Sequence, residues 1–169
     1  MNKLKEKRIW KASPSQIANI NKFIVAGIAL IAVIVIQIAI IPGSTKLLRT
    51  AFTVFEFILL IPVFHALWAC LTIMNTEYLL TSQRLLITSG VLNKETETLE
   101  LYRVKDFQVQ NPLLLRFFKL GNLIMNTSDA SDPYVRLSAI KNGEKLLSKM
   151  RHYVEECRVA KGVRAFDVQ

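Results

Sequence analysis

The sequence predicts an α+β membrane protein: a two-helix transmembrane hairpin, then a small antiparallel sheet domain covered by a C-terminal helix. Three observations carry this. Phe23 to Ile41 runs for 19 residues without a charge, broken only by Gln37, and Ala51 to Met74 runs for 24 with the single charge Glu56. Each run meets the roughly 18–20 residues needed to cross a ~30 Å hydrocarbon layer. From Asn75 onward the pattern changes to short turn-bounded strands and one amphipathic helix. With 51% hydrophobic residues gathered in this way, the 169-residue chain is not a wholly soluble enzyme.

The expected organisation is a cytoplasmic basic segment and helix start over 1–22 and transmembrane helices over 23–41 and 51–74. An outer loop covers 42–50, a cytoplasmic domain 75–160 and a tail 161–169. Ser13-Pro14-Ser15-Gln16 fits a capping box with Ser13 at the N-cap. A helix from Pro14 to Ile41 would be about 42 Å long, so its first turns stand in the headgroup region, with Trp10 and Lys22 as interfacial anchors. Pro42-Gly43-Ser44 ends it. The apolar run is too long for a cleaved leader and lacks a small-x-small cleavage site, so it reads as a retained anchor.

Charge sets the orientation. The chain has 22 Lys+Arg against 13 Asp+Glu, a formal charge of +9. Lys3, Lys5, Lys7, Arg8, Lys11 and Lys22 precede the first run, the loop between the runs holds only Lys46 and Arg49, and 14 basic residues follow Met74. Positive charge close to the membrane marks the cytoplasmic side, which places both termini inside. The basic start reads as a topology signal alone or as a patch for anionic lipid or a partner.

Gln37, Glu56 and His65 are polar groups within the apolar runs, where burial is costly unless the group is paired. Gln37 and Glu56 lie four and five residues in from the outer edges, a depth at which they can bond across the hairpin. His65 falls near the depth of Gly27, where a missing side chain leaves room. Glu56 and His65 are nine residues apart, about half a turn out of phase, so one helix does not present both to a single path. Two readings fit the three residues: helix-packing contacts, or an ion or proton route. Pro62 frees a backbone carbonyl between them.

In the domain, Glu77 to Ser82, Arg84 to Ser89, Glu95 to Leu101, Gly121 to Ser128 and Tyr134 to Leu137 read as strands. Between them, Tyr102 and Val104 alternate on even positions and Phe107 and Val109 on odd ones. That slip near Lys105-Asp106 predicts a bulge or strand break. Asp129-Ala130-Ser131-Asp132-Pro133 is a polar turn. After Asn142, the expected N-cap, Leu146, Leu147, Met150, Val154 and Cys157 recur at offsets 0, 1, 4, 8 and 11, one face of a helix that Gly162 stops.

The two cysteines, Cys70 and Cys157, form no metal or redox spacing. No nucleophile elbow, phosphate loop or metal cluster accompanies them, so no catalytic residue, metal or cofactor is expected. Nucleic-acid binding is disfavoured too, because much of the positive charge belongs to topology and no base-stacking module is visible.

The stretch Tyr78-Leu79-Leu80-Thr81-Ser82-Gln83-Arg84-Leu85-Leu86-Ile87-Thr88-Ser89-Gly90-Val91-Leu92 resembles the opening of a bacterial pleckstrin-homology (PH) domain of the YdbS-like membrane family. The resemblance continues in Leu99-Glu100-Leu101-Tyr102-Arg103-Val104-Lys105-Asp106, in Pro112 to Phe118 and in Gly121-Asn122-Leu123-Ile124. Trp10-Lys11-Ala12-Ser13-Pro14-Ser15 ahead of two membrane helices follows the family's order. The resemblance implies a PH-like β-barrel or sheet capped by a C-terminal helix, in a bacterial plasma-membrane protein often encoded beside a larger relative with several such domains. It implies no reaction.

The motif residues also have structural work. Thr81 and Arg84 sit at a hairpin turn, and Gly90 and Gly121 allow positive φ or close backbone approach. Arg103 alternates outward, within reach of Glu100 or Asp106. Eukaryotic relatives in fold bind phosphoinositides through Lys and Arg around the first hairpin; here that hairpin carries only Arg84, which argues against tight inositol-phosphate binding.

Leu113, Leu114, Leu115, Arg116, Phe117, Phe118 and Lys119 place five large apolar residues beside two cations. They read either as a partner or membrane-dipping surface or as a short helix plugging the barrel. Because Asn75 follows Met74 without a linker, the domain is expected against the bilayer.

The functional expectation is a membrane-anchored, non-catalytic adaptor that assembles with itself or with a larger PH-domain membrane protein. Anionic headgroups are a further expected partner, although residues after Met74 net only +3 from 14 basic and 11 acidic groups. The alternative is a transport or envelope-stress component whose oligomer lines a path with Gln37, Glu56 and His65.

Overall fold

The structure, a computed structural model, describes residues 6–43, 45–129 and 132–162. The expectations resting on Lys3, Lys5, Ser44, Ala130, Ser131 and the tail past residue 162 lie outside the described residues. The chain divides into two compact bodies, Asn19–Thr72 and the pair of segments Met1–Ala18 and Ile73–Gln169.

The first body is helical. After a 3-10 turn (Gln16–Asn19) come α1 (Ile20–Val35), a π turn (Ile36–Ile40), a 3-10 turn (Ile41–Gly43), α2 (Lys46–Leu59) and α3 (Ile61–Met74). The regular helix therefore starts six residues later than the capping-box pattern predicts. Ser15 is the local cap instead of Ser13: its Oγ accepts from the Ile17 N–H (3.4 Å) and its carbonyl from Ala18 (3.1 Å). The second helical run begins earlier than predicted, at Lys46, and is interrupted at Leu60. Pro62, which lacks an N–H, accounts for that break; Val63 and Phe64 both donate to the Leu60 carbonyl.

Small residues form the inward face of these helices. Ala26, Ala29, Ala66 and Ala69 are buried, together with Ile36, Asn19 and Glu56. Such side chains let helix backbones approach closely when the surrounding medium is as apolar as the helices. Large side chains such as Ile28, Ile31, Phe64 and Leu67 face outward.

The second body holds seven strands among the described residues. β1 (Arg8–Ala12), β2 (Glu77–Thr81), β3 (Arg84–Ser89) and β4 (Glu95–Glu100) form one antiparallel sheet in that order. β5 (Val104–Gln110), β6 (Leu120–Thr127) and β7 (Tyr134–Lys141) form the second, reached from β4 through a 3-10 turn (Leu101–Arg103). A five-residue helix, α4 (Leu113–Phe117), joins β5 to β6, and α5 (Gly143–Lys161) closes the chain. One continuous core draws Leu80, Leu85 and Leu101 from the first half and Leu123, Met125 and Leu137 from the second, with Leu146, Met150, Val154 and Cys157 of α5 packed in.

The predicted phase slip is a bulge: Val104 pairs with Thr127 and Asp106 with Asn126, leaving Lys105 extra. A second irregularity, between Gly121 and Leu123, was not legible in the pattern. There Ser138 and Ala139 oppose the single residue Asn122, and Ala139 takes φ 48°. β7 also runs four residues past Leu137. Asn142 precedes α5 as expected but adopts φ 53° and makes no side-chain cap; its carbonyl accepts from Lys145 and Leu146. Gly162, at φ 66°, ends α5 in the left-handed conformation expected of a terminating glycine.

The largest departure is β1. The sequence pattern predicts a basic segment leading into the first helix here, with Trp10 as an interfacial anchor. Instead Arg8–Ala12 is the edge strand of the first sheet, with Trp10 opposite Leu80 and Ala12 opposite Tyr78. Ile9 and Trp10 pack against the core. The helical body is thus an insertion between the first two strands of one sheet.

Candidate functional site

The structure brings Gln37 and Glu56 together. Gln37 lies in the π turn that follows α1, a place where an extra residue per turn rotates the face that the helix presents. Its Nε2 donates to Glu56 Oε2 at 2.6 Å, and Glu56 is only 8% exposed. His65 does not join them. It is exposed on α3 and lines a cleft of about 230 Å³ with Asn21, Lys22, Val25 and Pro62. The room expected for it at Gly27 is not where it lies: a Cβ added at Gly27 would meet nothing within 4 Å. Sequence reasoning missed a second polar contact in the same body, in which buried Asn19 donates from Nδ2 to the Ala69 carbonyl at 2.9 Å. The available signal was a carboxamide four residues ahead of the charge-free run.

In the sheet body, Thr81 closes the β2–β3 hairpin by accepting from Arg84 N–H at 3.0 Å, and its hydroxyl lies 2.9 Å from Glu6 Oε1. Arg84 pairs with the same carboxylate oxygen at 3.1 Å. Gly90 has φ 122°, and a Cβ there would lie 1.8 Å from the Asn93 carbonyl oxygen. Gly121 has no positive φ; its need is close approach, since a Cβ would lie 2.3 Å from Asn111 Oδ1.

Arg103 pairs with neither Glu100 nor Asp106. Its guanidinium reaches Asp129 Oδ2 at 2.7 Å and donates from Nε to the Tyr102 hydroxyl at 3.2 Å. The bond to Tyr102, and then that to Asp129, hold the guanidinium more firmly protonated than usual. The partner lies in the β6–β7 loop, a proximity that strand alternation around Arg103 does not encode. Ser128 donates to the Arg103 carbonyl at 2.9 Å, so this contact ties the β4–β5 turn to that loop.

A buried polar junction joins the two sheets. Tyr78 on β2 accepts at its hydroxyl from Ser138 N–H (3.3 Å), Asn122 Oδ1 accepts from Ala139 N–H (2.9 Å), and the Ala139 carbonyl accepts from Ser15 N–H (3.1 Å). Burial pushes the Tyr78 phenol upward, against the opposing influence of the Ser138 bond and Arg136.

α4 turns one apolar side chain inward and leaves the others exposed. Leu115 alone of its apolar side chains turns fully inward, at 8% exposure, to pack with Leu120, Ala139 and Ile17. Leu113 and Phe117 are each 84% exposed, and Leu114 and Phe118 are also open. Pro112 starts the helix, its carbonyl accepting from Arg116 (2.8 Å), and Lys119 ends it at φ 56°. Beside it, Arg116 and Lys119 share a cleft of about 250 Å³ with Asn142 and Lys145. A neighbouring cleft of about 240 Å³ contains Asn142 and Lys145 again, with Lys141 and Lys149.

No group of three or more metal-ligating side chains occurs among the described residues. Compared with family models, the chain matches the one described as "Bacterial PH domain" over residues 15–154, most of its length. The chain belongs to the bacterial PH domain family. That family is generally non-enzymatic. A crystal structure of a DUF1696 family protein with a pleckstrin-homology domain, from Shewanella loihica PV-4, is a distant likeness. It has 12% identity and a TM-score of 0.39, over 48% of this chain and 73% of that one. No curated protein matches.

Within this PH domain, the expectation about the first hairpin needs correction. Arg84 lies at the turn between the second and third strands; the first and second are joined by the helical insertion.

Proposed function

We propose that this chain is a membrane-anchored, non-catalytic adaptor of the YdbS-like kind. α1 and the α2–α3 run cross a bacterial plasma membrane twice and hold the PH domain at the cytoplasmic face. There it assembles with further copies or with a larger PH-domain membrane protein. The observation that carries the reading is the position of the helical insertion. The chain leaves the sheet after Ala12 and rejoins it at Glu77, so β1–β2 pairing requires both ends of the hairpin on the same side of a bilayer. Two crossings satisfy that requirement, and the basic residues flanking both ends select the cytoplasmic side.

Two further features support it. The segments Gln16–Ala39 and Lys46–Met74 are long and apolar enough to cross. Their large side chains are exposed within the chain, whereas the outward face of a water-soluble helix is polar. A bilayer supplies the missing apolar surroundings.

Purification from native membranes in mild detergent, with oligomer mass and co-purifying proteins measured together, tests the adaptor role. A stoichiometric membrane partner or a homo-oligomer is expected; a bare monomer overturns it.

One observation favours the second reading, a path through an oligomer. Glu56 Oε1 is buried without a hydrogen-bond partner among the described residues. If it lines a route, Glu56→Gln abolishes ion or proton flux in proteoliposomes, and equal flux ends that reading.

A further inference from the structure

We propose that α4 and the adjoining basic clefts form a second, peripheral membrane contact, in which the exposed side chains of α4 enter the interface of an anionic leaflet and the neighbouring cations hold its phosphate-bearing headgroups. The inference deepens the anchored-adaptor reading and rests on it.

The first argument is composition. Phe117 and Leu113 are the most exposed large apolar side chains of the PH domain, apart from the comparably open Leu92. Phe117 meets Phe118 edge-on, with ring centres 5.3 Å apart, so the aromatic pair forms a contiguous projection. A side chain of this kind in water is unfavourable; at a lipid interface the same group is at home.

The second argument is charge. Arg116 and Lys119 belong to the same short segment, and the two clefts beside it share Asn142 and Lys145 and add Lys141 and Lys149. Five cations are thus gathered around one carboxylate, Glu144. Apolar projections flanked by cations match an anionic leaflet, in which phosphates lie above an apolar layer. A protein partner would need the opposite charge in the same layered arrangement.

The third argument is chain continuity. Ile17 packs on Leu115, Leu120 and Ala139, and Ser15 is bonded to Ala139. The end of the PH domain that carries α4 is therefore the end from which the chain departs, three residues before α1 begins at Ile20. In the anchored-adaptor reading this departure leads directly into the bilayer.

The test uses the full-length protein in nanodiscs of brominated lipid, either neutral phosphatidylcholine or with one-third phosphatidylglycerol. Two single-tryptophan proteins are compared. Trp10→Phe leaves Trp68 to report on the hairpin; Trp10→Phe, Trp68→Phe, Phe117→Trp reports on α4. Quenching of residue 117 in the anionic discs, at least about twofold stronger than in neutral discs and reduced by Lys119→Glu with Lys145→Glu, is the expected result. If Trp68 is quenched and residue 117 is not, the peripheral contact is wrong while the anchored reading stands. Equal quenching of residue 117 in both lipids overturns headgroup recognition. Unquenched Trp68 overturns the anchored reading itself. Circular dichroism of each variant confirms that the fold is intact.

Discussion

Ala12 lies opposite Tyr78 in adjacent antiparallel strands, although the whole apolar hairpin separates them in the chain. The PH sheet is therefore assembled from both sides of the helical insertion. β1 contributes backbone hydrogen bonds to the edge of β2 and brings Ile9 and Trp10 to the core. Lys11 and Glu77 add an exposed ion pair at 2.8 Å.

This arrangement predicts the behaviour of truncated chains. Residues 6–18 joined by a short Gly/Ser linker to residues 73–162 retain every strand and should show a cooperative thermal transition. Residues 73–162 alone lack the edge strand and two core contacts, in a domain whose whole stability is on the order of 5–15 kcal/mol. That fragment should melt without cooperativity. Circular dichroism melts of the two proteins decide the matter; equal transitions would show β1 to be dispensable.

The Gln37–Glu56 bond is an interhelical contact that a double-mutant cycle can weigh. Gln37→Leu leaves the buried carboxylate without its donor and should destabilise the hairpin more than Gln37→Leu with Glu56→Leu together. The coupling energy, measured by steric trapping in detergent or bicelles, should be about 1 kcal/mol. Additive single effects would mean that the bond contributes nothing.

Tyr78 predicts an alkaline limit to stability. Its phenol is raised above the ordinary 10.0, with burial as the main cause. The folded state therefore holds that proton more tightly than the unfolded chain. The stabilisation is fully present below the unfolded value and is lost as pH rises through the folded one. Tyr78→Phe should flatten this alkaline limb in urea titrations. At neutral pH it should also lower stability by about 1 kcal/mol, because the Ser138 N–H loses its acceptor.

Two backbone positions should respond in opposite directions. Ala139→Gly removes a Cβ from a residue at φ 48°, and should stabilise the domain by up to about 1 kcal/mol. Gly90→Ala adds a Cβ at φ 122° beside the Asn93 carbonyl, and should cost about 2 kcal/mol or more. Thermal melts of the hairpin-free fusion read both without interference from detergent.

Local periodicity determined much of this protein. Long apolar runs specified the two helical segments, alternation specified β2 to β4 and most of β6, a one-residue slip marked the bulge beside Val104, and a 3.6-residue recurrence marked the buried face of α5. Gln37 and Glu56 could be matched because equal depth in a hairpin is a matter of counting. Tertiary structure alone decided the rest. β1 is a strand because β2 offers it an edge; its own five residues carry too little pattern to say so. The first helix starts late because Ser15 is bonded to Ala139, and Arg103 chooses Asp129 because a distant loop folds against its turn. Each of these depends on groups far apart in sequence, and a local hydrophobic pattern records which side of an element is buried but not which partner buries it.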